Sequence, residues 1–385
     1  MPALTARWII PVTSDPIPNG LLHIEDDRIV AVEQGRAGQG TRDLGNVAIL
    51  PGLVNAHTHL ELSAIKTPLG HPGISIVDWI SQLVATRQTE EYAPTEAVRR
   101  GLQESAAAGV VAVGDIVQGA FAATDTSIAT TSFLELIGPT EERAAEALKK
   151  ATDYVGAGQG RGAYHQGLSP HAPYSLRPEV LEGACHLSKQ HQVPVAFHLA
   201  ESREEMMLLQ EGAGPFRELL ERFNSWDPEV QHAGRRPLDF LQTLAAADRS
   251  LVIHGNYLDE EEIGFIADQH DRMSVVYCPR THQWFQHDPY PLQTMLAAGV
   301  NVAFGTDSRA SSPDLNLLQE MRTVAEYHPD VPPEKIVEMG TMAGAKSLGH
   351  ESDLGSLQPG KLARFTVVQL PDNEHDHPYA WLRKS

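Results

Sequence analysis

The stretch NAHTH (55–59) sets two imidazoles, His57 and His59, two residues apart at the end of an apolar run. On a β-strand such a pair projects to one side, the arrangement that neighbouring ligands of one metal ion need. Later apolar runs also end in polar groups: His171, then His198 with Glu201, His254, Arg280 with His282, and Asp307. Each alone has an ordinary reading as a buried hydrogen-bonding group. Together and in this order they point to a site. Neutral imidazoles with one carboxylate suit Zn²⁺ or Fe²⁺ and leave a position open for water. A cation so held lowers the pKa of water towards about 7, and a glutamate beside a ligand histidine can move protons. Glu201 fits that role if the strand carrying His198 turns before it; on an unbroken strand Glu201 would face the other way.

Eight β-type runs must position these groups: 47–59, 110–117, 132–138, 163–173, 193–201, 250–256, 273–279 and 300–308. Most are apolar almost throughout, as expected of parallel strands buried on both faces. Helical patterns separate them at 140–155, 177–192, 202–211 and 258–270, and SREE (202–205) has the spacing of a capping box. Helices are also expected at 314–326 and 333–348. The alternation reads as a (β/α)₈ barrel, in which catalytic groups sit at the C-terminal ends of the strands. A doubly wound sheet would carry a glycine-rich phosphate turn after its first strand, and neither G-x-G-x-x-G in that position nor a Walker A sequence occurs. Residues 1–46 read as strand–turn–strand, and 355–370 as a turn-rich stretch entering a strand. The expected organisation is a barrel over 50–349 and a small β-sandwich domain from 1–49 and 350–385.

The chain has 385 residues, 42% of them hydrophobic, enough for a sizeable core. Its formal net charge of -20 disfavours polyphosphate partners, so no nucleic-acid polymer is expected. No apolar stretch is long enough to span a membrane. The two cysteines, Cys185 and Cys278, and a start without a leader-like pattern lead to the expectation of a reducing cytoplasm.

LPGLVNAHTHLELS (50–63), SPHAPYS (169–175), HLAES (198–202), VIHGNYLDEEEI (252–263), YCPRTH (277–282), GTDSRASSPDLNLLQEM (305–321) and GSLQPGKLA (355–363) together resemble the amidohydrolase superfamily. The resemblance is to its chlorohydrolase/deaminase branch and covers nearly the whole chain. It implies a distorted barrel with a composite β-sandwich and a mononuclear site. By position, His57, His59, His198 and Asp307 would ligate one divalent metal ion, zinc being expected and iron the alternative. Glu201 would shuttle protons, His254 would orient the reacting water or approach the metal, and His171 would touch substrate. Two-metal members carry a carboxylated lysine on the fourth strand; here YHQGLSPHAPYS (164–175) holds His171 and no lysine.

The resemblance further implies hydrolytic deamination of an amino-substituted N-heterocycle, with Asp307 taking a proton from water and Glu201 protonating a ring nitrogen. CPRTH departs from the CP-x-SN form of adenosine-type deaminases of the branch. With HTHLELS and GTDSRASSPDL it is most similar to relatives of aminodeoxyfutalosine deaminase, whose substrate bears a benzoate. Arg280 and His282 are therefore expected to contact a polar or anionic part of the substrate, or else to be tied up within their loop. Glu61 and Trp79 are further substrate-binding candidates, with Trp284 and Phe285 at the same mouth. Glu61 has the alternative of a loop salt bridge and Trp79 that of helix core. Dechlorination or amide hydrolysis would use the same metal site. An inactive scaffold barrel would show a broken ligand set, and a cytidine-deaminase fold would need H-x-E with P-C-x-x-C. A homodimer is expected only by analogy with relatives.

Overall fold

The computed structural model describes residues 3–35, 38, 40–89, 94–119, 128–158, 164–230, 233–372 and 377–383. Two sheets organise them. The first is mixed: β1 (Ala3–Ile9), β2 (Ile17–Glu25), β3 (Arg28–Gln34), β4 (Thr41–Asp43) and β5 (Val47–Pro51) come from the N-terminal part, and β14 (Phe365–Gln369) joins from the far end of the chain. The order is β14-β5-β1-β2-β3, with β4 beside β1. The run LLHIEDDRIVAVEQG, expected as one strand, folds as the hairpin β2–β3. Asp26 and Asp27 at its tip have φ of 47° and 68°, as a two-residue primed turn requires.

The second sheet is eight parallel strands: β6 (Leu53–Thr58), β7 (Val110–Val117), β8 (Ala129–Leu136), β9 (Tyr164–Pro170), β10 (Val195–Leu199), β11 (Ser250–His254), β12 (Met273–Tyr277) and β13 (Asn301–Phe304). β6, β10, β11 and β12 are buried at every residue, which explains why they show no polar–apolar alternation. The sheet closes on itself between β6 and β13. Thr306 and Asp307 N–H both donate to the His57 carbonyl at 3.1 and 3.2 Å, and Asn55 Nδ2 donates to Thr306 Oγ1 at 2.8 Å. The ends of the first and last strands are thus sewn together at the point where His57 and Asp307 project.

The apolar run 47–59 divides between the two sheets at Gly52. β5 pairs with β14, whereas β6 starts the barrel. A Cβ on Gly52 would lie 2.4 Å from Val111 Cγ1, so the junction passes too close to β7 for any side chain. The expected helix 333–348 is three pieces, Pro333–Glu338, a π turn at Met339–Ala343 and Gly344–Leu348. Gly344 brings it against β6, where a Cβ would meet the Val54 carbonyl at 2.8 Å. Near the C-terminus Trp381 is buried in the main core cluster, and its carbonyl accepts Arg322 Nε–H at 3.1 Å. Among the described residues no helix is long and apolar enough to cross a membrane.

Candidate active site

Five imidazoles converge at the C-terminal mouth of the barrel. The His57 ring lies 4.9 Å from those of His59 and His198 and 5.8 Å from that of His254; His171 and His198 are 5.0 Å apart. One nitrogen from each of His57, His59 and His198 falls within 4.8 Å of the other two. Asp307 completes the group: Oδ1 is 3.7 Å from Nε2 of both His57 and His59. Its other oxygen is held by Ser311 Oγ at 2.7 Å, and Ser311 Oγ lies 3.0 Å from Thr281 Oγ1. The backbone is strained where the site is built. His254 and Asp307 have φ of 70° and 51°, a left-handed region that non-glycine residues seldom occupy. Gly305 gives His57 its room, since a Cβ there would be 3.0 Å from the His57 carbonyl.

The donor set fits a divalent cation. His57 is 1% exposed, yet neither ring nitrogen has a hydrogen-bond partner among the described residues. Burying such groups unpaired is costly, and a ligated ion removes the cost. His198 Nδ1 donates to the His171 carbonyl at 3.1 Å, which leaves Nε2 with a free lone pair. Burial, reinforced by His57, holds His59 and His198 well below the ordinary imidazole range. Burial takes His254 down to about 3. His59 and His198 are neutral at physiological pH, as ligands must be, and so is His254 beside them. Burial pushes the Asp307 carboxyl up, but the neighbouring imidazoles outweigh it and keep Asp307 ionised.

Glu201 meets the condition its role required. β10 ends at Leu199, and Ala200, with φ of 53°, reverses the chain. Glu201 Oε1 then lies 3.3 Å from His254 Nε2. Burial, with the Asp307 charge, raises its pKa well above the carboxylate range, so the protonated acid is favoured.

The expected substrate contacts divide. His171 stands at the mouth, its Nδ1 2.9 Å from Ser175 Oγ and its Nε2 4.0 Å from Glu135 Oε1. Glu61 is ion-paired with Arg87. Trp79 donates Nε1–H to the Ala310 carbonyl at 2.9 Å and stands edge-on to Phe285 at 5.6 Å. Trp284 packs in the same apolar cluster. Arg280 follows the second of its two expected readings: Nε donates to Glu320, Nη1 to Asp314 Oδ1 at 2.8 Å, and Nη2 to the Asp314 and Asn316 carbonyls. A guanidinium so occupied neutralises the buried Glu320 and has little left for a substrate anion. His282 likewise donates Nε2–H to the Asp288 carbonyl at 2.9 Å.

Three groups escaped the sequence reading. Arg87 ends the helix Ile76–Arg87, and its charge bears on His59 and His171. Glu135, the penultimate residue of β8, faces His171. Asp115, fully buried in β7, accepts the Leu60 N–H at 2.9 Å and so fixes the loop after His59. A carboxylate inside an apolar run, as in VGDIV and FLELIG, was the available signal for the last two.

The Amidohydrolase family profile matches residues 48–384. Among curated relatives, a 5-methylthioadenosine/S-adenosylhomocysteine deaminase of Moorella thermoacetica is 27% identical, covering 94% of this chain and 84% of its own; one of Syntrophomonas wolfei is 28% identical with the same coverages. Among solved structures, Helicobacter pylori aminofutalosine deaminase in complex with methylthio-coformycin superposes with a TM-score of 0.85 at 20% identity, over 97% of this chain and 93% of that one. Zinc-complexed atrazine chlorohydrolase of Arthrobacter aurescens gives 0.82 at 20% identity, over 99% and 91%. A zinc-bound adenosine deaminase of Xanthomonas campestris gives 0.74 at 22%, over 97% and 86%. At these identities the structural matches establish the fold.

Proposed function

The chain belongs to the amidohydrolase family, and from that premise we propose that it is a hydrolytic deaminase of an amino-substituted N-heterocycle of the adenine-nucleoside type. The observation that carries this is the acid–base pairing at the mouth. Glu201, favoured as the protonated acid, sits beside His254 and opposite the ionised Asp307. Two carboxyl groups whose environments push them apart can take and give protons in one reaction. His57, His59, His198 and Asp307 would hold the cation; zinc is the reading, supported by the zinc in two structural neighbours. When bound, it supplies Lewis-acid activation of water.

The chain's own groups do the rest. Asp307 takes one proton from the attacking water, and His254 orients it. Glu201 gives its proton to the ring nitrogen next to the carbon under attack. The proton on Asp307 passes to the departing amine, which leaves as ammonia, and as the carbonyl forms the proton of the added hydroxyl returns to Glu201. Aminodeoxyfutalosine is the substrate we favour within the class, supported by the CPRTH and SRASSPDL stretches. With Arg280 committed elsewhere, Arg87, ion-paired with Glu61 and near enough to act on His59 and His171, is a cation beside the site.

The test is metal analysis of purified protein, followed by ammonia release from aminopurine nucleosides including aminodeoxyfutalosine and 5-methylthioadenosine, and from pterins and triazines. Glu201→Gln is expected to keep its metal and lose about 10²–10⁴-fold in kcat. Ammonia from none of these compounds, or chloride release alone, would sink the deaminase reading.

A further inference from the structure

The turn that delivers Glu201 is clamped from two sides. Glu205 has no exposed surface. Its Oε1 accepts the Ala200 N–H at 2.9 Å and its Oε2 the Glu201 N–H at 2.8 Å. Ser202 Oγ accepts the Glu205 N–H at 3.2 Å, as the N-cap of the helix, and the Glu205 carboxyl reaches past Ser202 to the N–H groups one and two residues further back. On the opposite side, Asn256 Nδ2 donates to the Glu201 carbonyl at 2.8 Å and the Tyr257 N–H donates to the Ala200 carbonyl at 3.1 Å. Both N–H groups and both carbonyls of Ala200 and Glu201 are therefore fixed, and all three of Glu201, Glu205 and Asn256 are buried.

We propose that Glu205, together with Asn256, is a positioning residue that aims the Glu201 carboxyl at His254 and the reacting centre. The proposal rests on Glu201 being the proton shuttle. The physical need is plain. A left-handed alanine is not a resting conformation for this chain, and rotation of the Ala200–Glu201 peptide would swing the Glu201 side chain. Two hydrogen bonds from successive N–H groups to the two oxygens of one rigid carboxyl group oppose that rotation. Asn256 lies two residues past His254, so the same clamp ties the end of β10 to the end of β11. Glu201 and His254 are thereby held at 3.3 Å as one unit. Glutamine at 205 keeps the volume but turns an amide NH₂ towards a backbone N–H, so one of the two bonds becomes a repulsion.

The experiment uses the metal-loaded enzyme. Glu205→Gln is expected to lower kcat about 10- to 100-fold, the scale of a misplacement near 1 Å, with KM and bound metal within about twofold of wild type. Added to Glu201→Gln it should cost nothing more, because it acts through Glu201. A crystal structure of Glu205→Gln should show the Glu201 carboxyl moved away from His254. Asn256→Ala should act in the same direction, and carries the test if Glu205→Gln does not fold. An equal fold-loss in the Glu201→Gln background, or an unmoved Glu201 carboxyl in the crystal, overturns the proposal. If Glu201→Gln itself keeps full turnover, the shuttle reading has failed, and the crystal comparison still judges the clamp.

Discussion

Histidines with lowered pKa gather at both ends of this barrel, and only one gathering has the make-up of a reaction centre. At the N-terminal end His165, near the start of β9, packs against His350 with ring centroids 4.6 Å apart. His350 Nε2 meets Thr131 Oγ1 at 3.1 Å, and the adjacent Arg249 pairs with Glu351 at 3.2 Å. Burial, and then His165, lower His350 to about 4. A depressed imidazole is thus common to both ends. What distinguishes the mouth is that His57 is left without hydrogen-bond partners, that carboxylates with opposed preferences stand within 4 Å of the rings, and that left-handed backbone holds them there. The lesson is that perturbed titration alone marks burial, whereas the site is marked by the coincidence of an unpartnered buried imidazole, opposed carboxyl groups and left-handed backbone on the same few residues.

That contrast can be broken in three ways, in decreasing order of effect. Asp307→Ala should lower turnover by at least about 10³-fold, the scale for removing a member of a reacting unit, with loss of bound metal. Near-normal kcat with metal retained would end the assignment of this carboxylate. Ser311→Ala frees the second Asp307 oxygen and should weaken metal binding about 10- to 100-fold, read by competition with a chelator; unchanged affinity would leave Ser311 without a role. At the other end, His350→Gln should leave kcat unchanged and alter only acid stability. Because folded His350 protonates near 4 rather than 6.5, the unfolded chain takes up its proton first as pH falls. Its neutral form therefore stabilises the fold fully above about pH 6.5, and that contribution is lost on the way down to 4. The upper limit is on the order of 3 kcal/mol. Urea unfolding across this window should show a shallower acid decline in the variant. A fall in kcat instead would mean that the two ends are coupled.

The site was legible wherever polar residues close an apolar run. His57, His59, His198, His254 and Asp307 stand out because a parallel strand buried on both faces carries such groups mostly at its C-terminal end. Arg280 stood in such a position too, and nothing local told it apart. Its partners Asp314 and Glu320 come 34 and 40 residues later and meet it only in the fold. Glu205 was visible as a capping residue, but the local rule names the nearest N–H and not the two beyond it. The barrel was legible from alternation, whereas the division of 47–59 between two sheets was not. Periodicity has no signal for a change of sheet, and a single glycine inside an apolar run reads as a weak strand position.

The Gly52 junction carries a consequence for anyone reshaping this protein. The strand that presents His57 leaves the small sheet after one residue, with no linker to absorb a displacement. The small sheet is in effect the mounting plate of the first ligand strand, bolted by β14 from the opposite terminus. An enzyme minimised to its barrel would lose its optical alignment before it lost its lens.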